Sequence, residues 1–194
     1  MDWTIKNITD ERGLDDAIAF AARFFPDYGK GQRGLWSKRL AAHPELLLYA
    51  EIDGEIAAAV FGYEDDNGNI TIEPVATDAP YRKLGIARAL LAELERRAKS
   101  AGYDLLALGA VREAEGFYIS CGFTPFLFVQ DSFPVTLDDL RGVNPGFPEA
   151  WTYDDGTDVR LMLRTNGINR ALQGIYDAAF PTCSTQTVFT KSIL

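Results

Sequence analysis

Residues 72–91 read IEPVATDAPYRKLGIARALL. The run opens as a strand, passes through a basic turn at Arg82-Lys83-Leu84-Gly85-Ile86-Ala87, and leaves as an amphipathic helix. Ile86, Leu90, Leu91, Leu94 and Ala98 share one helix face, and Glu93, Glu95, Arg96, Arg97 and Lys99 the other. Gly102 closes the helix. A glycine-bearing turn between strand and helix exposes several backbone N–H groups at the helix N-terminus. Those orphan donors and the positive end of the helix dipole favour an anion. Gly85 allows close backbone approach, Ala87 is the next smallest choice, and Arg82, Lys83 and Arg88 add positive charge. A pyrophosphate suits such a turn. Taken alone, the hexapeptide fits a merely basic surface turn better, since short motifs recur by chance.

Working outward, the chain alternates between period-2 and period-3.6 patterns. Trp3 to Ile8 reads as a strand and Leu14 to Phe25 as a helix that Pro26 ends. Asp27 to Gly34 reads as a glycine-rich loop and Trp36 to Ala42 as a short helix. Glu45 to Ile52 and Glu55 to Tyr63 are strands joined at Asp53-Gly54, a hairpin signal, and Ile70 to Ala76 is a third strand. Beyond the long helix, Asp104 to Val111 is an apolar strand, Glu113 to Cys121 a short helix and Phe123 to Gln130 another strand. Asp131 to Thr157, with Pro134, Pro145 and Pro148, reads as a long irregular loop. Val159 to Arg164, Ile168 to Phe180 and Thr187 to Ile193 follow as strand, helix and strand. The order predicts an α/β (α+β) fold: a mixed, mostly antiparallel sheet flanked by helices, with a C-terminal extension.

The bulk numbers agree with one globular domain. Of 194 residues 47% are hydrophobic and 24% charged, so disorder over the whole length is not expected. The formal net charge of −9 disfavours nucleic-acid binding, because phosphates repel such a surface. It leans toward a cationic acceptor or partner. No secretory signal pattern opens the chain and no run of about 18 apolar residues occurs. A cytoplasmic protein without membrane contact is expected. Cys121 and Cys183 lie far apart and form no disulfide framework. The one histidine, His43, has no cysteine or histidine neighbour at ligand spacing, so no metal is expected.

Residues 72–91 resemble the central motif of the GNAT acyl-CoA N-acyltransferases: Gln or Arg, two residues, Gly, one residue, then Gly or Ala. Arg82, Gly85 and Ala87 fill it. Residues 114–123, AEGFYISCGF, are similar to the family's second motif, a Phe-Tyr pair followed by Gly-Phe. The resemblance spans about residues 3–130. It implies a GNAT core over 1–130, with 131–194 as an extension completing the same domain.

What the resemblance implies is specific. Acetyl-CoA is the co-substrate, with its pyrophosphate on the backbone of Lys83, Leu84, Gly85, Ile86, Ala87 and Arg88 behind Arg82. Its pantetheine arm pairs like a strand with the backbone of Val75, Ala76 and Thr77. Pro74 lacks an N–H, in keeping with broken pairing there. A primary amine, on a small molecule or a peptide, attacks the thioester. Strand alternation sets Thr71, Glu73, Val75 and Thr77 on one face. Glu73 is the candidate base; a substrate-binding or rim carboxylate is its other reading, since the family's commonest base position falls on Thr71. A backbone N–H near Val75 meets the oxyanion. Tyr118 matches the family's general acid. Val111 stands where the family often has an asparagine, which removes one side-chain contact to coenzyme A. A non-catalytic acyl-CoA sensor or interaction module is the alternative function, and a homodimer through the tail strands is one possible assembly.

Gly29-Lys30-Gly31-Gln32-Arg33-Gly34 spells GxGxxG but follows a helix, not a strand. It therefore lacks the context of a dinucleotide fingerprint and reads as a loop beside the acceptor, near Phe24, Phe25, Tyr28 and Trp36.

Overall fold

The computed structural model describes residues 2–26 and 31–194. The chain is a mixed α/β protein in which helices flank β-sheet. It divides into two compact units, Met1–Leu106 with Ser192–Leu194, and Ala107–Lys191.

The first unit holds β1 (Thr4–Asn7), α1 (Glu11–Ala22), α2 (Arg33–Ala42), β2 (Leu47–Ile52), β3 (Glu55–Glu64), β4 (Ile70–Thr77) and α3 (Ile86–Ser100). β1, β2, β3 and β4 are neighbours in that order, each antiparallel to the next. Asp10 caps α1 by accepting from the Gly13 N–H at 2.7 Å. α2 begins at Arg33, so Arg33 and Gly34 are helical and not part of the expected loop. Gly29 and Lys30 of the GxGxxG run, with Tyr28, lie outside the described residues. Pro44 seeds a 3-10 turn over Pro44–Leu46, which delays β2 to Leu47 instead of Glu45.

The two sides of this sheet carry different helices. Trp36 of α2, fully buried, packs edge-on against Phe61 and Tyr63 of β3. On the other side, a Cβ added at Gly62 would lie 2.9 Å from Ile70 Cγ2 and 3.2 Å from Leu94 Cδ1 of α3. Glycine is required there because the α3 stripe of Leu90, Leu91, Leu94 and Ala98 comes down onto the strands. Arg97 of α3 donates to Asn7 Oδ1 at 2.6 Å, to the Glu45 carbonyl at 3.1 Å and to Glu93 at 2.7 Å, fastening the helix to the start of the sheet.

β5 (Leu105–Gly109) carries the boundary between the units. The second unit continues with α4 (Glu115–Ser120), β6 (Thr124–Ser132), α5 (Leu137–Val143), β7 (Glu149–Asp154), β8 (Asp158–Arg164), α6 (Arg170–Ala179) and β9 (Ser184–Ser192). β6 pairs antiparallel with β8 and β9, and β8 with β7. The stretch 131–157 is therefore not one irregular loop; it contains α5 and β7. Thr136 and Asp139 form a reciprocal capping box that starts α5. Leu127, Val129, Leu140, Val159, Leu161, Leu163, Leu172 and Tyr176 make a separate core, into which the Tyr176 hydroxyl donates to the Leu140 carbonyl at 3.0 Å. Glu115, 5% exposed, accepts a short hydrogen bond from Arg170, which also donates to Gln173 and Thr187.

Candidate active site

β4 approaches the turn with an irregularity. Val60 stands opposite Val75 and Gly62 opposite Ile72, so Glu73 and Pro74 together face the single residue Phe61. This is a β-bulge, and the Glu73–Pro74 peptide within it is cis. The bulge corrects the expectation that Thr71, Glu73, Val75 and Thr77 share a face. Cross-strand partners lie on the same face. Tyr63 pairs with Thr71, which sets Thr71 and Glu73 on the α2 side. Val60 lies on the Gly62 side, so its partner Val75, and with it Thr77, points to the α3 side. The extra residue reverses the parity of the strand.

After Thr77 the chain turns at Asp78, whose carboxylate caps the Ala79 amide at 2.9 Å and pairs with Arg23 at 2.9 Å. Arg82 folds back, donating from Nε to the Thr77 carbonyl at 3.1 Å, with its guanidinium 5.9 Å from the Phe24 ring centre. Lys83 and Gly85 both take left-handed backbone angles, φ 64° and 83°. Gly85 is the N-cap of the 15-residue helix α3 and offers no side chain to its first turn. The amides of that turn precede the first intrahelical acceptor, which is the Gly85 carbonyl taking the Ala89 N–H at 3.0 Å. A Cβ at Gly85 would meet nothing within 4 Å, and Arg82, Lys83, Leu84 and Arg88 are exposed. Open space, amides ahead of the first intrahelical acceptor, a helix dipole and exposed cations are what a diphosphate needs.

The structure thus gathers Val75, Ala76, Thr77 and Arg82–Arg88 along one continuous path of the first unit, with exposed Glu73 just upstream. Tyr118 belongs to the second unit. It is 5% exposed and packs against the rings of Phe117, Phe123 and Phe189. Burial pushes its phenol up to about 12, with Cys121 adding to the effect, so it stays protonated at neutral pH. Val111 is 60% exposed.

This chain belongs to the GNAT acetyltransferase family. The family model, described as Acetyltransferase (GNAT) family, matches residues 14–123, more than half of the chain. No curated protein sequence matches it. Among solved structures, an N-acetyltransferase from Staphylococcus aureus Mu50 is 14% identical with TM-score 0.58, covering 100% of both chains. A GNAT-family acetyltransferase from the same organism is 17% identical with TM-score 0.54, covering 84% of this chain and 99% of its own. AAC(6')-Iy in complex with the bisubstrate analogue CoA-S-monomethyl-acetylneamine is 14% identical with TM-score 0.54, covering 63% and 90%. At these identities the likeness concerns the fold alone.

Other features of this GNAT chain lie apart from the path along β4. A cleft of about 510 Å³, lined by Asp16, Phe20, Arg23, Tyr49 and Glu51 among others, runs between α1 and the β2–β3 hairpin and includes none of the candidate residues. Among the described residues no cluster of His, Cys, Asp and Glu is placed to hold a metal. His43 instead shares hydrogen bonds with Glu45 at 3.1 Å and Tyr103 at 3.2 Å. No described helix is long and apolar enough to cross a membrane.

One group beside Glu73 escaped the sequence reading. The Arg39 guanidinium of α2 lies 3.3 Å from the Tyr63 ring centre and 4.3 Å from that of Trp36. Burial raises the Tyr63 phenol above its ordinary value, the charge of Glu73 pushes the same way, and Arg39 opposes them. Glu73, Tyr63 and Arg39 therefore share one electrostatic neighbourhood. The local clue was Trp36 and Arg39 at i, i+3 on a helix, but their meeting with β3 is tertiary.

Proposed function

We propose that the chain transfers an acetyl or other short acyl group from acetyl-CoA to a primary amine by direct attack. The observation that carries this reading is the left-handed pair Lys83 and Gly85 at the uncapped start of α3, directly after a strand whose ladder is broken at Glu73–Pro74. The amides from Lys83 to Arg88, with Arg82, would hold the diphosphate. The backbone of Val75, Ala76 and Thr77 would pair with the pantetheine arm. Bound there, acetyl-CoA supplies an activated thioester.

The chain's own groups then manage two protons. Glu73, exposed at the bulge, takes one from the incoming ammonium, directly or through water. Tyr118 gives one to the departing sulfur; its place in the second motif and its protonated phenol support that role. An N–C bond forms and a C–S bond breaks; the second proton that the nitrogen sheds on becoming an amide passes, directly or through water, to the Tyr118 phenolate, and Glu73 returns its proton to solvent. The acceptor is a small-molecule or peptide amine, and the setting this implies is the cytoplasm.

Acetyl-CoA and a panel of amines, peptides and aminoglycosides, followed by free-thiol release, test the proposal. Acceptor-dependent release supports it. Saturable coenzyme A binding without release from any acceptor would make the chain an acyl-CoA sensor instead. No binding at all would remove both.

A further inference from the structure

The group around Arg39 says something about which amine is accepted. Tyr63 and Thr71 are directly paired across β3 and β4, and Glu73 follows Thr71 by one same-face step. All three look toward α2, where Arg39 lies over the Tyr63 ring. The Trp36 and Tyr63 rings are nearly perpendicular, at 86°, and the guanidinium is held against both. Two aromatic walls fix the plane of an arginine and lower its entropy cost for in-plane bonding. Among the described residues no carboxylate lies within ion-pair distance of Arg39, although eleven other arginine, lysine or histidine contacts of that kind occur among them in a chain of net charge −9. A partly buried, pre-oriented guanidinium on the same side of the sheet as a surface carboxylate is a two-point site.

We infer that the acceptor is an amine that also carries a carboxylate, with Arg39 binding the carboxylate and the Glu73 side receiving the amine. This rests on the acetyl-transfer reading above. A carboxylate fits better than a phosphate. One guanidinium neutralises a single negative charge, and Asp65, which accepts from Thr71 Oγ1 at 3.2 Å, brings a further negative charge to the same strand. Tyr63 and Trp36 act as positioning residues for Arg39.

The test compares matched acceptors with acetyl-CoA: amino acids, the amines left when each loses its carboxylate, and O-phosphoethanolamine. For at least one pair the amino acid should have the higher kcat/KM by about tenfold or more, the discrimination expected from one charge-assisted pair. Arg39→Met should raise KM for that amino acid by about ten- to a hundredfold, far more than for its partner amine, while KM for acetyl-CoA holds. Arg39→Lys, which keeps charge but not the planar fork, should recover only part of the loss. Equal preference within every pair, preference for the phosphate, or equal loss for both members would overturn the assignment. If no acceptor is acetylated, the transfer reading fails by itself. Thermal-shift titration with the same amino acids then decides the site: stabilisation lost in Arg39→Met supports it, and none in the wild type overturns it.

Discussion

Tyr118 illustrates what a single side chain can and cannot reveal. Its position before Gly122-Phe123 marks it in the sequence, and its ring lies among Phe117, Phe123 and Phe189. An acid that gives a proton to a thiolate must be protonated when the sulfur leaves, and a phenol at or above its ordinary value of 10 meets this at neutral pH. Tyr118→Phe keeps the packing and deletes the proton. Turnover should fall by about 10²- to 10⁴-fold with coenzyme A affinity kept, as read by steady-state kinetics beside calorimetry. Unchanged turnover would take Tyr118 out of the mechanism. Gly85 and Arg82 were equally legible, because a left-handed cap before an amphipathic stripe is a local requirement. Arg39 was not, since its meaning depends on Tyr63 arriving from a strand more than twenty positions later.

Among the elements, α3 sits as close to β3 as its side chains permit. Gly62→Ala would bring a methyl group against Ile70 and Leu94, both buried. Overpacking of this kind should cost about 1–3 kcal/mol, read from the urea midpoint at constant slope. Full stability in that variant would mean that the helix can lift without cost. In the second unit, Arg170 joins α6 to the buried Glu115 of α4. Arg170→Met leaves that carboxylate without its cation and should cost about 2–4 kcal/mol, less than a wholly buried pair because Arg170 is 35% exposed. Glu115→Gln in the same background should return part of the loss; a double variant no better than the single would dismiss the pair. α5 and β7 hid behind Pro134, Pro145 and Pro148, which stand between elements and not inside them. The signals were present: Thr136 three residues before Asp139, and Asp155-Gly156 between two alternating runs. The bulge in β4 had no local signal beyond Pro74, because a register exists only when β3 is alongside.

For the whole molecule, ionisation sets a broad window of stability. Hydrogen bonds from Arg96 and then Arg97 draw Glu93 down to about 2, against burial, and Asp139, Glu149 and Asp155 also lie below their ordinary values. Depressed carboxylates contribute stability above their unfolded pKa, so it should drain away as pH falls from 4.5 toward 2. Burial raises Tyr103, Tyr118 and Tyr176 to about 12. Their contribution is complete below 10 and should vanish as pH rises to 12. Calorimetric melting temperatures should form a plateau with these two shoulders; a slope already present between about pH 6 and 8 would contradict it. The doubled step in β4 has a longer reach. Where two residues stand against Phe61, odd and even positions exchange sides. An acidic group can therefore drift along this strand in one direction only. Moving it back, by Thr71→Glu with Glu73→Thr, leaves it in view of Tyr63 and should preserve some turnover. Moving it forward, by Val75→Glu with Glu73→Thr, drives it beneath α3 and should abolish turnover. Equal activity in both swaps would show that sidedness is immaterial.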